Sequence, residues 1–263
     1  MRLSSALFVT ANVAIYLFLL LPVIIVVAIS FSGTDSVAFP PTSFSFKWFA
    51  RFLAERQLVT ALFTSFALAV VSSIVSLILG GMAAFAIARG TFSGRTAVLN
   101  FLMTPLMVPA LVIAIALLEF FVLFGTPSFV ALLLGHVIIM IPYVIRTMVA
   151  GLLSSDMVAE QAAISLGCTR LQAIRLVTLP MLTNSMVASV LFSFIISFEN
   201  LPLALFLSDP YTVTLPMQIY TYVQWVFDPT VAAASTVNLV VVILLVFLAE
   251  KLIGLSRFMG VMK

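Results

Sequence analysis

The chain has 263 residues, of which 63% are hydrophobic and only 8% are charged, and its net charge is +3. Soluble domains carry about 25% charged residues, so this composition excludes a water-soluble globular protein. Cys168 is the single cysteine and His136 the single histidine, which excludes an internal disulfide and a Cys/His zinc site.

Six apolar segments are long enough to cross a bilayer, since about 20 helical residues span a hydrocarbon core of roughly 30 Å. They cover residues 7–31, 60–88, 97–124, 129–150, 184–207 and 231–255. The first resembles a signal peptide, but a signal has an apolar region of only about 7–15 residues, so we expect this segment to remain as a helix. The predicted fold class is all-α, with one integral membrane domain over residues 1–263 that contains six transmembrane helices.

The distribution of lysine and arginine predicts the orientation of this bundle. Nine of these residues fall on one side of the predicted membrane: Arg2, Arg89, Arg95, Arg146, Arg170, Arg175, Lys251, Arg257 and Lys263. Only Lys47, Arg51 and Arg56 fall on the other. Because positive residues concentrate in cytoplasmic loops, both termini are expected in the cytoplasm.

Two external segments are rich in aromatic residues. Residues 47–55 predict an amphipathic helix at the membrane surface, with Lys47, Arg51 and Glu55 on one stripe and Trp48, Phe49, Phe52 and Leu53 opposite. A helix that caps the bundle is favoured there over a docking site for a partner. The second segment, Ser208 to Thr230, contains Tyr211, Tyr220, Tyr222 and Trp225, which favours an interfacial aromatic belt over a platform for cations.

A polar stretch between the fourth and fifth apolar segments predicts two short helices in the cytoplasm, which we call the polar hairpin (residues 156–180). Asp156 is a candidate cap for the first helix, and Gly167 stands where a left-handed residue commonly ends one. Thr169 and Gln172 then have the spacing of a capping box for the second helix. Such short helices are barely stable in water alone, so the hairpin is expected to have a partner.

The hairpin resembles the EAA signature of ABC importer permeases. In that signature a glycine stands some residues after the EAA triplet, and nine residues separate this glycine from the sequence I-x-L-P. The matching positions are Gln161, Ala162, Ala163, Gly167, Val177, Leu179 and Pro180. Gln161 replaces the glutamate of the family, although Glu160 stands one place earlier, and Val177 replaces isoleucine. The resemblance implies that these residues, with Glu160, form a coupling hairpin seated on a cytoplasmic ATPase.

Three further stretches resemble the second permease of spermidine/putrescine uptake systems: FPPTSFSFKWFARFL, LLLGHVIIMIPYVI and SFENLPLALFLSDPYTVTLPMQIY. The broader branch imports opines, aminoalkylphosphonates and other small organic ions. The resemblance implies a type I importer of the bacterial inner membrane, with a second and different permease subunit, two ATPase subunits and a periplasmic binding protein. ATP and Mg²⁺ would bind to the ATPase, since this chain has no phosphate-binding GxxxxGK[ST] motif. No cofactor, catalytic residue or nucleic-acid partner is expected for it.

Four polar residues inside the apolar segments are candidates for the substrate pathway, because ionisable groups there are costly. Glu199 and Asn200 lie near the middle of the fifth segment, Glu119 in the outer third of the third, and His136 in the outer half of the fourth. In the resembling permeases two acids stand at the positions of Glu199 and Asn200, so the single acid indicates a less cationic solute or one that also carries an acid. For Glu199 a pathway role and a structural role stay equally open. Contact with the outer interface is favoured for Glu119, and packing between helices for His136.

The expected function is therefore ATP-driven import of a small amine-bearing solute. An ion-coupled secondary transporter is the main alternative, because such proteins use intramembrane acids as ion sites. Those folds often contain inverted repeats and helices broken at matching positions, and the sequence shows no such symmetry. The coupling hairpin would also be unexplained.

Overall fold

The computed structural model describes residues 2–226 and 228–253, and the side chains of residues 8–226 and 228–251. Arg257, Lys263 and the end of the sixth apolar segment lie outside the described residues, as does the side chain of Arg2. All regular elements in the described part of the chain are helical, and one isolated β-bridge joins Ser32 to Phe44. The all-α prediction is confirmed.

The helices follow one another with short connections. They are α1 (Arg2–Ser30), α2 (Lys47–Ala54), α3 (Arg56–Arg89), α4 (Arg95–Met103), α5 (Ala110–Leu123), α6 (Ser128–Ser154), α7 (Met157–Ser165), α8 (Arg170–Ala173), α9 (Leu179–Met181), α10 (Thr183–Phe198), α11 (Leu201–Leu207), α12 (Leu215–Trp225) and α13 (Thr230–Ile253). A 3₁₀ turn, Thr104–Leu106, follows α4, and a π-helical segment, Ile174–Thr178, joins α8 to α9. Among these, α12 was not predicted.

Four described helices are long and apolar enough to cross a membrane by themselves: α1, α3, α6 and α13. The count rises to six if each of two sharply bent helix pairs forms one span. One pair joins residues 95–106 to Ala110–Leu123 and the other joins residues 170–181 to Thr183–Phe198. Six spans are thus compatible with the structure, although two of them are not straight helices.

The third apolar segment, expected as one helix over 97–124, is divided into α4 and α5, which meet at an angle of 99°. Pro105 lies in the 3₁₀ turn after α4, and Pro109 precedes the first residue of α5. Proline has no backbone N–H to donate within a helix, and it disfavours the helical conformation for the residue before it. Two prolines four residues apart therefore end one helix and start another where hydropathy indicates a single span.

The fifth apolar segment, expected over 184–207, is also broken. Helix α10 ends at Phe198, and Asn200 caps the new helix α11 by accepting a hydrogen bond from the backbone N–H of Leu203 at 3.0 Å. Pro202 stands in the first turn of α11, where its missing N–H costs nothing. Glu199 consequently lies at a helix end and not within a continuous helix.

The chain divides into two compact units. The first contains residues up to Ala61 and the stretch Gln218–Val241. Within it, Trp48 and Phe52 of α2 are buried, and the indole N–H of Trp48 donates to the carbonyl of Ser32 at 2.7 Å. Arg51 forms an ion pair of 3.0 Å with Asp228. The amphipathic helix is confirmed, except that Leu53 is 70% exposed and does not share the buried side.

The second unit contains Leu62–Met217 and the chain from Val242 onward. One apolar cluster, which includes Leu68, Ala114, Leu132 and Leu203, brings together α3, α5, α6 and α11. A second cluster of Ala84, Val144, Met148, Leu152 and Leu182 lies toward the other end of α3 and α6. Helix α10 packs along α6.

Candidate functional site

The first arm of the polar hairpin is α7, whose start is fixed by its own sequence. The carboxylate of Asp156 accepts a hydrogen bond from the backbone N–H of Val158 at 2.8 Å. This bond satisfies one of the unpaired N–H groups at a helix start. The predicted cap is confirmed.

The turn of the hairpin depends on Gly167. Its φ is +97°, which L side chains rarely adopt. The N–H of Gly167 donates to the carbonyl of Ile164 at 3.0 Å and that of Cys168 to the carbonyl of Ala163 at 3.1 Å. These two bonds form a Schellman motif, so the predicted helix end at Gly167 is confirmed.

The second arm begins with the predicted capping box. The backbone N–H of Thr169 donates to the side chain of Gln172 at 2.8 Å, and the backbone N–H of Gln172 donates to the hydroxyl of Thr169 at 3.3 Å. Each residue thus satisfies a backbone donor of the other. These two hydrogen bonds fix the residue at which the short helix α8 begins.

The sequence predicts an ordinary second helix that reaches about Leu179, whereas the structure contains the π-helical segment Ile174–Thr178 just before Pro180. The ring of a proline in a helix collides with the carbonyl four residues earlier, and the wider π turn removes that collision. The arm then bends by 68° into α10. Such π turns occur frequently at functional sites.

The two arms are joined by a hydrogen bond that the sequence did not predict. The hydroxyl of Thr178, a residue only 2% exposed, donates to the carboxylate of Glu160 at 2.8 Å. Glu160 therefore points back into the hairpin. Thr178 occupies the variable position between Val177 and Leu179 in the signature. The signature specifies no residue there and therefore did not predict this hydrogen bond.

The base of the hairpin is attached to the apolar helices at two places. The guanidinium of Arg89, the last residue of α3, donates to the hydroxyl of Ser155 at 3.0 Å. Gly151 of α6 lies directly against the side chain of Ser185 in α10, so that a Cβ atom at this glycine would collide with it. A displacement of the hairpin base would therefore be passed to α3 and α10 through direct contacts.

The remaining signature residues differ in exposure. Gln161, Ala162 and Pro180 are exposed, whereas Glu160, Ala163, Val177 and Leu179 are half-buried. Large apolar side chains on the same hairpin are also uncovered: Val158 is 66%, Leu166 87%, Leu171 75% and Leu176 65% exposed. A cluster of exposed apolar residues on a polar segment indicates a protein–protein contact.

His136 is 1% exposed and lies inside α6, and its Nδ1–H donates to the carbonyl of Leu132 at 2.7 Å. A carbonyl can only accept a hydrogen bond, which places the proton on Nδ1. Near the C-terminal end of α10, the hydroxyls of Ser72 and Ser197 lie 3.2 Å apart and join α3 to α10. The burial of His136 and its hydrogen bond to Leu132 give this side chain a packed position in the bundle.

Glu199 and Asn200, adjacent in the sequence, have different environments. Glu199 is exposed at the end of α10, where its backbone N–H donates to the carbonyl of Ile195 at 3.1 Å. The C-terminal end of a helix carries partial negative charge, to which the Glu199 carboxylate adds. Asn200 uses its side chain to cap α11, a task that aspartate performs equally well.

Glu119 is exposed on α5, four residues before the end of that helix. The described residues contain no group of three or more His, Cys, Asp or Glu side chains placed to hold a metal ion. The structure thus divides the predicted residues into a compact hairpin and separate polar positions along the helices.

Comparisons with known proteins identify relatives of the chain. The sequence model of a family described as "binding-protein-dependent transport system inner membrane component" matches residues 76–255. A spermidine/putrescine transport system permease protein of Haemophilus influenzae is 32% identical over 237 residues, which cover 90% of this chain and 92% of that protein. Its counterpart in Escherichia coli K12 is 30% identical over 248 residues, covering 94% of this chain and 93% of that protein.

Among solved structures, a bacterial alginate ABC transporter in complex with an alginate pentasaccharide-bound periplasmic protein contains a similar chain. Its TM-score is 0.74 at 17% sequence identity, and the match covers 95% of this chain and 93% of that one. At this identity the likeness concerns the fold alone.

Proposed function

Since the chain belongs to the family of binding-protein-dependent transport system inner membrane components, we propose that it is the permease subunit through which an ATP-driven importer takes up a small amine-bearing organic solute. Membership of this family favours ATP-driven import over the ion-coupled transporter considered from the sequence. The names of the spermidine/putrescine relatives support an amine as the solute. An opine or an aminophosphonate, which also carries an acid, fits the single carboxylate at Glu199.

The observation that carries this proposal is the polar hairpin. It has capped arms, a fixed turn at Gly167 and exposed apolar residues around Ala162 and Leu166. We propose that this face sits on a separate cytoplasmic ATPase, which binds ATP and Mg²⁺. Because Arg89 and Gly151 connect the hairpin base to neighbouring helices, closure of the ATPase would move α3, α6 and α10 together.

The assembly would contain two permease subunits, two ATPase subunits and a periplasmic binding protein. We propose a different chain as the second permease, as the resemblance implies. Both termini of this chain would lie in the cytoplasm, on the basis of the charge distribution. The chain itself would perform no catalysis.

The substrate pathway would include Glu199. Its exposure at the end of α10 would allow its carboxylate to attract an ammonium group, aided by the carbonyls of the helix end. Glu119 would contribute negative charge nearer the outer interface. His136, which is buried, would pack between helices without contact to the solute.

The decisive test is identification of the solute. The cognate binding protein is purified without added ligand, and the bound molecule is identified by mass spectrometry. Uptake of that molecule into vesicles containing the full assembly should require ATP inside and should persist when the proton and sodium gradients are dissipated. A binding protein that carries a neutral sugar would contradict the amine. Uptake that survives removal of the ATPase would contradict the ATP-driven importer.

A further inference from the structure

A groove of ≈ 500 Å³ lies between α6 and the segment formed by α4 and the 3₁₀ turn. Its walls are largely apolar and include Met103, Met107, Ala150 and Leu153. The polar residues that line it are Asn100 and Arg146. The groove therefore combines an apolar trough with one cationic group.

Arg146 has no acidic partner among the described residues: the ion pairs there join Lys47 to Asp35 and Arg51 to Asp228. Its side chain is exposed. An unpaired guanidinium beside an apolar wall is suited to a phosphate, which it can bind through two parallel hydrogen bonds. The amide of Asn100 offers further donors to the same group.

The position of Arg146 along α6 places the groove at one face of the membrane. Arg146 is 18 residues after Ser128, the first residue of α6, which corresponds to a rise of about 27 Å. The hydrocarbon core is about 30 Å thick. With Ser128 at the outer boundary, Arg146 reaches the inner interface, where phosphates of the inner leaflet lie.

The bend between α4 and α5 bears on how α4 lies in the membrane. Helix α5 has 14 residues and a length of about 21 Å, which is too short to cross the core alone. With α5 along the membrane normal, the 99° bend between the two segments would place α4 close to the plane of the inner interface. In that position the residues of α4 would lie beside α6 at the depth of the first acyl carbons of the inner leaflet.

We propose that this groove binds an anionic phospholipid of the inner leaflet, with the phosphate on Arg146 and Asn100 and an acyl chain along Met103 and Ala150. The positive charge of the site and its apolar walls match the two parts of such a lipid. The inference rests on the proposed orientation of the chain and is independent of the transported solute. The lipid would fix the angle between α4 and α6 beside the base of the polar hairpin.

The test measures lipid retention by the complete assembly in detergent, using native mass spectrometry with dioleoylphosphatidylglycerol and dioleoylphosphatidylcholine as probes. Arg146→Gln should lower the apparent affinity for phosphatidylglycerol by about tenfold and leave phosphatidylcholine unchanged. Ala150→Phe fills the apolar trough while keeping the charge, and should also lower phosphatidylglycerol retention. Arg56→Gln, which removes an exposed arginine at the first residue of α3, is the matched control and should have no effect.

Unchanged retention in Arg146→Gln or in Ala150→Phe would overturn the proposal, and so would an equal loss in Arg56→Gln. If Arg146→Gln does not assemble, Arg146→Lys replaces it: this variant keeps the charge and should retain phosphatidylglycerol in preference to phosphatidylcholine. Binding to the isolated chain that disappears in the assembly would show that a partner subunit covers the groove, which would also overturn the proposal. A failed solute assignment would leave all these measurements unaffected.

Discussion

Thr178 donates a hydrogen bond of 2.8 Å to the carboxylate of Glu160 and so joins the two arms of the polar hairpin. The acceptor is charged and the donor is 2% exposed, which makes this one of the stronger classes of hydrogen bond. The bond closes the hairpin at the π-helical segment. The bond therefore restricts the movement of one arm of the hairpin relative to the other.

Removing this bond should weaken coupling without removing the ATPase contact. Thr178→Val keeps the shape of the side chain but leaves the Glu160 carboxylate without its donor, at a cost of about 1.5–3 kcal/mol. We expect a reduced ratio of uptake to ATP hydrolysis and faster amide hydrogen exchange in residues 174–178.

Glu160→Gln retains an acceptor for Thr178 and is the matched control, which should behave nearly as the parent. The double variant Glu160→Ala with Thr178→Val should be no worse than the more damaging single variant, because both remove the same bond. Strict additivity of the two single effects would show that the bond contributes nothing.

A β-branched residue at Gly167 should strain the turn of the hairpin. The φ of +97° is unfavourable for valine, whereas open space surrounds the position, so that the effect comes from the backbone alone. The expected cost is about 1–3 kcal/mol. Gly167→Val should insert normally but fail to retain or stimulate the ATPase, as measured by co-purification and by ATP hydrolysis.

Two further substitutions, one at Gly167 and one at Gly81, separate the effect of backbone strain from the effect of added side-chain volume. Gly167→Asn should be tolerated, since asparagine enters the left-handed region more readily than other residues. Gly81→Ala adds a methyl group at a glycine that also has open space but no positive φ, and should be silent or slightly stabilising. Normal stimulated hydrolysis by Gly167→Val would mean that the turn is not needed for coupling.

The polar hairpin was predictable because its signals are local. Asp156, Gly167 and the pair Thr169–Gln172 each act within four residues, so the chain needs no distant contact to place them. The Glu160–Thr178 bond could not be predicted, because it depends on how the π turn rotates Thr178 toward α7. It links positions 18 residues apart, and no local pattern pairs the two.

The breaks in the third and fifth apolar segments were not predicted, because hydropathy depends on composition alone and does not report where a helix changes direction. Prolines gave a partial signal: Pro105 and Pro109 accompany the first break and Pro202 follows the second. Proline alone is ambiguous, however, since Pro22 and Pro142 lie inside continuous helices. At the second break, the combination of Asn200 as a cap with Pro202 in the first turn is the more specific indication.

Replacement of His136 should distinguish packing from solute binding. If the imidazole only fills space, His136→Leu preserves most of its volume and should leave the KM for uptake within about twofold of the parent, since replacements that conserve volume are the best tolerated in a packed interior. His136→Ala creates a cavity and should cost about 2–5 kcal/mol, measured as a lower Tm of the purified chain. An increase in KM for His136→Leu with unchanged Tm would instead indicate contact with the solute.

The orientation of the chain can be tested by thiol labelling in a Cys168→Ser background. Single cysteines at two exposed residues should react with an impermeant reagent in intact cells: Ser36, in the external loop predicted between the first two apolar segments, and Tyr211, in the external segment Ser208 to Thr230. A cysteine at Leu166, 87% exposed on the polar hairpin, should react only after the membrane is permeabilised. Labelling at Leu166 in intact cells would reverse the orientation and exclude the proposed contact with a cytoplasmic ATPase.

Glu199→Gln tests the proposed pathway most directly. The substitution preserves the size of the side chain and removes its charge at the end of α10. Loss of an ionic contact with a substrate amine typically costs about 1.5–3 kcal/mol, and about 1.4 kcal/mol corresponds to a factor of ten. Uptake should therefore fall at least about tenfold, whereas ATPase assembly should stay intact because Glu199 does not belong to the polar hairpin.

Two further variants distinguish a role of Glu199 in the substrate pathway from a structural role. Asn200→Asp keeps the cap on α11, because aspartate caps as well as asparagine, and adds a second carboxylate beside Glu199. If the site receives a cationic group, this variant should lower the KM for spermidine or putrescine relative to a solute with one amine and one acid. Glu199→Leu should reduce the amount of folded protein only if the carboxylate is structural. Parental uptake by Glu199→Gln together with poor expression of Glu199→Leu would assign Glu199 to the scaffold, because a solute contact requires the charge and a structural acceptor requires only the polar group.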